Sequence, residues 1–469
     1  IALLSELRPV FSAPSYDNFL VLMAGWVHAL GKRRISGVIR SAGALATKHF
    51  SAYYRFFSAG RWSLDELGLA LFAVILQLMR VDEIEIIIDD TLSRRSGKKV
   101  ALGMMHADPV LRQGGKPFFS YGHVFVVLAV HVISTKLAIP TGWALPVLFR
   151  LFESSKRGGQ KNAPSDHKRA ANRQRQGVAT RRRPRLTDRK VVDEQLHWCE
   201  PEPDTGPLPQ HVRPTKLQLA AEMVLLLAHR FPQLRIRVLA DHAYNGRALL
   251  HTVHSNVDNI HFVVRGHGDA ALYELPPPPS GKRGRPRTKG TRLLTPEKWA
   301  SAHLDAFETV TVSMYGKDVP LQVASYLGMA YRTLPGRLVR YVIVNDPHGH
   351  YQTSYLMSTD PNLSAAQIVA AYSHRWPLEL TFQETKQKLG MQDPQTQLPR
   401  SVRRTAPFAL LVYSLVVCWY LACGHLEAQA FPSYPDPWYD KAGRPSFTDM
   451  LATLRRLGWA QYLLNPALQ

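Results

Sequence analysis

The chain has 469 residues, carries 58 Lys and Arg against 36 Asp and Glu for a formal charge of +22, and is 45% hydrophobic. It is too long for one ordinary domain and long enough to be an enzyme, so two or three structural units are expected, and a folded chain with this charge imbalance usually meets a polyanion. Its three cysteines, Cys199, Cys418 and Cys423, offer neither a paired framework nor a Cys-x-x-Cys spacing, which excludes a disulfide scaffold, predicts a cytoplasmic protein and makes structural zinc unexpected.

The opening at Ile1 lacks the basic start, apolar core and small-residue cleavage site of a secretory leader. Residues 1–80 read as helices, with an apolar run from Leu69 to Met79 and no secure helix-turn-helix. From Glu83 the texture changes to Glu-Ile-Glu-Ile-Ile-Ile-Asp-Asp, a β-branched run that predicts a strand delivering acids to its tip. Val124 to Ile133 predicts a second strand, with Ala101 to Val110 as its hairpin partner. Between Ser155 and Lys190, thirteen Lys or Arg stand against Asp166 and Asp188, the pattern of a segment that orders only on an anion.

Lys216 to Arg230 predicts an amphipathic helix, followed by a strand from Leu234 to Ala240, then Asp241, then a helix after Asn245. Ile260 to Val264 predicts one more strand, and the alternating segments Thr309 to Met314 and Leu338 to Val344 mark 266–350 as a β-rich insertion. A helix N-capped by Ser364 runs through Tyr372, Arg375, Glu379 and Lys386 and stops at Gly390. Phe408 to Cys423 is almost wholly apolar but short for a membrane span, so it reads as a buried core helix and no membrane partner is expected.

Two strand-terminal acids and one helical acid, far apart in sequence, suit a phosphoryl-transfer site, because two divalent ions about 3.5–4 Å apart must share carboxylate oxygens. Asp89, Asp241 and Glu379 fit that demand, with Asp90 the alternative to Asp89. One ion would activate a water or 3′-hydroxyl and the other would stabilise the leaving oxygen. Hard oxygen donors without clustered His or Cys favour Mg²⁺, with Mn²⁺ as the substitute. A single acid at a strand end is more often a turn or cap residue, so the weight falls on the last helix. There Tyr372, Arg375, Glu379 and Lys386 repeat at intervals of three, four and seven and share a face, whereas Glu384 points elsewhere. His242 reads as a turn residue.

The spacing Tyr-x2-Arg-x3-Glu-x6-Lys, with Arg-Trp-Pro-Leu-Glu around its centre and Lys-Gln-Lys-Leu-Gly at its end, resembles the bacterial insertion-sequence transposases of the DDE superfamily, in the insertion-sequence-four-like group that carries this signature. Ile-Asp-Asp-Thr at Ile88 to Thr91 and Leu-Ala-Asp-His-Ala-Tyr at Leu239 to Tyr244 extend the resemblance over roughly Leu78 to Leu426. It implies an α/β fold: a ribonuclease-H-like core, a mixed sheet flanked by helices, with a helical N-terminal region and the insertion between the second and third acids. It further implies cut-and-paste transposition, with Asp89, Asp241 and Glu379 as catalytic metal ligands. Tyr372, Arg375 and Lys386 would hold phosphates beside the cut, and Trp376, or failing it Trp299, would stack on a base.

On that reading residues 1–80 are a DNA-binding region, 81–265 the first part of the core, 351–430 its completion with the catalytic helix, and 431–469 a tail for interactions. Arg283, Arg285 and Arg287 lie in an Arg-Gly-Arg-Pro stretch resembling an AT-hook, which enters narrow minor grooves. Arg181, Arg182 and Arg183 are expected to meet phosphates without sequence preference. The expected partners are the terminal inverted repeats and target DNA, bound by a homodimer in a bacterial, nucleoid-associated complex. A transposase-derived binder that no longer cuts, and a ribonuclease-H-like nuclease, are the alternative readings. The third acid lying so far beyond Asp241 favours the transposase.

Overall fold

A computed structural model of the chain describes residues 2–97, 99–111, 116–134, 142–153, 213–278, 286–314, 316–349, 352–430 and 445–464. Ten strands form one mixed sheet: β1 (Glu83–Arg94), β2 (Met104–Ala107), β3 (Phe119–Val132), β4 (Trp143–Phe152), β5 (Arg235–Ala240), β6 (Ile260–Arg265), β7 (Glu308–Met314), β8 (Lys317–Gly328), β9 (Val339–Asn345) and β10 (Ser354–Ser358). They run in the order β2-β3-β1-β5-β6-β10-β9-β8-β7, with β4 paired to β3. The half that carries the predicted acids Asp89 and Asp241 is β4-β3-β1-β5-β6. There β3 is antiparallel to both β4 and β1, whereas β1, β5 and β6 are parallel. With helices flanking it, this is the mixed sheet of a ribonuclease-H-like nuclease fold.

The parallel strands explain the buried, unalternating run Ile86, Ile87, Ile88 in β1, since both faces of the sheet are covered. Strand β4 escapes sequence reading because Pro146 sits within it. A register shift between Leu128 and Ala129 of β3 accommodates that residue, so Leu128 faces Leu148 and Ala129 faces Pro146. The segment 266–350 is not a separate layer. Its strands β7 to β9 continue the core sheet through β10, just beyond it, which pairs antiparallel with both β9 and β6.

The N-terminal helices α1 (Ala13–His28), α2 (Ile35–Ala42), α3 (Phe50–Ser58) and α4 (Leu64–Met79), after a short first turn at Ala2–Ser5, precede the sheet. After β4 come α5 (Lys216–Arg230), α6 (Arg247–His254) and α7 (Pro296–Ala302), then α8 (Ala365–Ser373), α9 (Pro377–Lys388), α10 (Pro399–Trp419) and α11 (Phe447–Leu464). The ring of Phe408 on α10 meets Phe19, Trp26 and Phe57 of the N-terminal helices, and the Trp26 indole donates to the Leu389 carbonyl at 2.8 Å. The N-terminal helices are thereby packed against the end of α9. Pro399–Glu427 is the one helical stretch among the described residues long and apolar enough to cross a membrane, and its apolar window is 78% buried inside the protein.

The stretch from Ser364 to Gly390 is not one helix. It ends as α8 at Ser373, makes a tight turn through His374, Arg375 and Trp376, and resumes as α9 at Pro377. Proline has no N–H and favours the first turn of a helix, so it restarts the helix rather than continuing it. The bonds from His374, Arg375 and Trp376 N–H groups each reach back only three residues.

Candidate active site

Successive residues of β1 face opposite sides of the sheet, and this separates the two aspartates. Asp90 turns toward the start of α5, where Lys216 Nζ lies 2.7 Å from its Oδ2 and the Tyr244 hydroxyl donates to its Oδ1 at 3.1 Å. Asp89 turns toward the α8–α9 junction. Arg375 Nη1 lies 3.1 Å from Asp89 Oδ2, and Arg375 Nη2 lies 2.7 Å from Glu379 Oε1. One guanidinium thus joins the first and third predicted acids, with Asp241, at the tip of the neighbouring parallel strand β5, in the same field.

The electrostatics of the two aspartates differ. Burial pushes the Asp89 carboxyl up, and Asp90 and Asp241 add to that against the pull of Arg375, leaving it at about 6. Burial also raises Asp241, but hydrogen bonds from the His242 backbone and ring, with Arg375 beyond them, bring it below its ordinary value. The His242 ring lies 3.2 Å from Asp241. It therefore does more than fill a turn.

A hard divalent cation suits this donor set: carboxylates brought near one another, one of them pushed up by burial, and a guanidinium lying between two of them. The three acids do not, however, gather their oxygens into a single compact group. Among the described residues the group of three ligand atoms lying within 4.8 Å of one another is Glu85, His131 and His374. Sequence reasoning passed over that trio. Its signal was Glu85 lying four residues before Asp89 on the same side of β1, together with His374 inside the helical signature.

The remaining signature residues divide into two places. The Arg375 guanidinium carbon is 5.9 Å from the centre of the Tyr372 ring, and burial raises the Tyr372 hydroxyl above its ordinary value. Lys386 lies two turns beyond Glu379, beside the Arg94–Asp108 ion pair, and burial together with Arg94 lowers its ammonium to about 8. Trp376 is 43% exposed, whereas Trp299 is half-buried and stacks on His303 and Tyr326, with ring centres 4.5 and 4.6 Å away. Glu384 has a buried oxygen with no hydrogen-bond partner and lies in the field of Tyr413 on α10, apart from the other acids. Arg181, Arg182, Arg183, Arg283 and Arg285 lie outside the described residues, and Arg287 is exposed.

No curated protein matches the chain. A solved structure, the cryo-EM structure of a piggyBac transposase synaptic complex with hairpin DNA, is similar to it at 10% identity and a TM-score of 0.37, over 98% of this chain and 74% of that one. The sequence model described as DDE superfamily endonuclease matches residues 7–318, a span that includes Asp89 and Asp241 and stops before Glu379. That match covers more than half of the chain, which belongs to the DDE superfamily endonucleases, enzymes that use divalent metal ions.

Proposed function

We propose that the chain is a DDE transposase of the insertion-sequence-four-like kind, which cuts at insertion-sequence ends and joins the freed 3′-hydroxyl to target DNA. Asp89, Asp241 and Glu379 are the carboxylates that would hold two Mg²⁺ ions, or Mn²⁺ in their place. The observation that carries this reading is the meeting of Asp89 and Glu379 on Arg375, with Asp241 beside them, from three distant parts of the chain. Bound divalent ions would supply Lewis-acid activation of the attacking oxygen and neutralise charge at phosphorus.

The chain's own residues then divide the work. Asp89, whose carboxyl burial pushes up to about 6, binds a cation in its ionised form. Arg375 stays charged, and when its carboxylates are engaged elsewhere its planar fork can grip a phosphate through two hydrogen bonds. Tyr372 holds Arg375 from its ring side, and Trp376 offers an exposed ring for a displaced base. Lys386 marks a second phosphate contact about 10 Å along α9 from Glu379, at 1.5 Å per residue. Arg181, Arg182, Arg183, Arg283, Arg285 and Arg287, with the N-terminal helices, would grip DNA backbones, and paired cutting of two ends requires a homodimer.

The test is cleavage of labelled DNA spanning an insertion end and its flank, with Mg²⁺ or Mn²⁺. Asp89→Asn, Asp241→Asn and Glu379→Gln should each lower cleavage by about 10³-fold or more, as loss of a group aimed at developing charge does. Asp90→Asn, which removes the partner of Lys216 and Tyr244, should leave most of it. Undiminished cleavage in the Asp241 and Glu379 variants, or an Asp90 variant as dead as the Asp89 one, would overturn this assignment. DNA binding without cleavage in every form would leave a binding protein.

A further inference from the structure

A second polar cluster lies on the same face of β1, four residues before Asp89. Glu85 Oε2 is 2.7 Å from His374 Nδ1 and 3.1 Å from His131 Nδ1. The three residues come from β1, β3 and the turn between α8 and α9. The register that sets Ile86 across from Val130 places Glu85 across from His131 one step further along. His131 is the one titratable side chain in the buried apolar run of β3 from Val124 to Val132, and its side chain is 2% exposed. A buried polar group there needs an explanation that packing does not provide.

We propose that Glu85, His131 and His374 form a zinc site, separate from the catalytic carboxylates, that fastens the α8–α9 turn to the sheet. Neighbouring donors on one ion, each about 2.0–2.1 Å from it, stand roughly 2.8–3.4 Å apart, and the two measured spacings lie within a tenth or so of that range. Imidazole nitrogens with one carboxylate oxygen suit Zn²⁺, whereas Mg²⁺ prefers oxygen alone.

Both Nδ1 atoms point at the same carboxylate oxygen from rings stacked 4.5 Å apart and inclined by 25°. As a hydrogen-bonded cluster this asks one oxygen to accept from two rings, and protonating both rings would set like charges face to face. Around a cation the same convergence is favourable, with each neutral ring carrying its proton on Nε2. Arg237 Nη1 holds the other Glu85 oxygen at 2.9 Å and is itself balanced by Glu83 at 2.5 Å, so Glu85 would bind through Oε2 alone, in an orientation fixed from behind. The His374 side chain is 25% exposed, which leaves one side for solvent to complete the coordination.

This site does not depend on the chain cutting DNA, and its test avoids activity. The full chain carrying Asp89→Asn, Asp241→Asn and Glu379→Gln, which removes the competing acids, is loaded with Zn²⁺ and dialysed against metal-free buffer. Bound zinc is then counted by mass spectrometry. One ion per chain should remain, excess Mg²⁺ should not displace it, and Co²⁺ in its place should give the intense visible absorption of a low-symmetry nitrogen and oxygen site. Adding His131→Gln and His374→Gln should bring zinc to background. Should that variant fail to fold, Glu85→Gln keeps both imidazoles and the side-chain volume while removing the anionic oxygen, and it should weaken zinc binding by about tenfold or more. Background zinc in the chain with Glu85, His131 and His374 intact, or unaltered zinc in Glu85→Gln, would show a hydrogen-bonded cluster and overturn the proposal.

Discussion

Glu85 and Asp89 sit on one face of one strand, four residues apart, and their surroundings are opposites. Glu85 is ringed by donors, two imidazoles and a guanidinium, which outweigh the cost of burial and hold its carboxyl well below the usual range. Asp89 is buried to a similar degree, and burial, with the fields of Asp90 behind it and Asp241 beside it, outweighs the pull of a single guanidinium and leaves it at about 6. The first arrangement gathers nitrogen ligands about one carboxylate oxygen, as the proposed zinc site requires. The second retains unfavourable charge at the position where the proposed function needs a cation, as functional sites commonly do.

That contrast predicts stability changes of opposite sign. Glu85→Ala should cost about 3–5 kcal/mol, because it leaves Arg237 and two imidazoles around an empty centre. Asp89→Asn should raise stability while abolishing cleavage, since it relieves repulsion among acids without opening a cavity. Urea unfolding of both variants in metal-free buffer measures this directly. Two losses of similar size would mean that Asp89 is a structural ion-pair residue like Glu85.

A smaller effect sharpens the same point through pH. The folded-state value of Asp89, about 6, lies above its ordinary value of 3.8, so between these limits the folded chain binds more protons than the unfolded one. Stability contributed by this group therefore falls as pH rises across that window, and the full cost is present above about 6. The stability gap between Asp89→Asn and the parent should open across this interval in metal-free buffer. Mg²⁺ should then narrow it above the interval. A gap that stays constant with pH would remove the argument that Asp89 is poised for a cation.

The three proposed metal-binding acids were legible as candidates because each is announced by its element: the Ile run ending in Asp89, the strand ending at Asp241, the spaced signature around Glu379. The choice between Asp89 and Asp90 was not readable, since it depends on which face of β1 meets α9, and only the pairing with β3 and β5 decides that. The helical signature was legible as a motif but not as a shape, for Pro377, inside the span predicted as one helix, starts a second. Zinc was set aside because no cysteine spacing called for it. The donors of the proposed site come from positions 85, 131 and 374, a separation at which no local pattern survives and only tertiary pairing brings them together. Continuation of the core sheet into β7 to β10 was hidden for the same reason.

Lys386 gives the last comparison, a cation that burial leaves short of charge partners as Asp89 is an acid left so. Its ammonium, lowered to about 8 by burial and by Arg94, lies well under the ordinary 10.5. Keeping it charged costs the folded state stability at every pH below about 8, and that cost fades as pH rises from there toward 10.5. A phosphate in contact with Lys386 would favour the charged form, so DNA binding above pH 8 should take up a proton and affinity should decline with rising pH at fixed salt. Arginine stays charged throughout this range, so Lys386→Arg should flatten the decline even if its different shape lowers affinity overall. Equal pH slopes for the two proteins would place the phosphate contact elsewhere, and leave Lys386 as a partner of the Arg94–Asp108 pair alone.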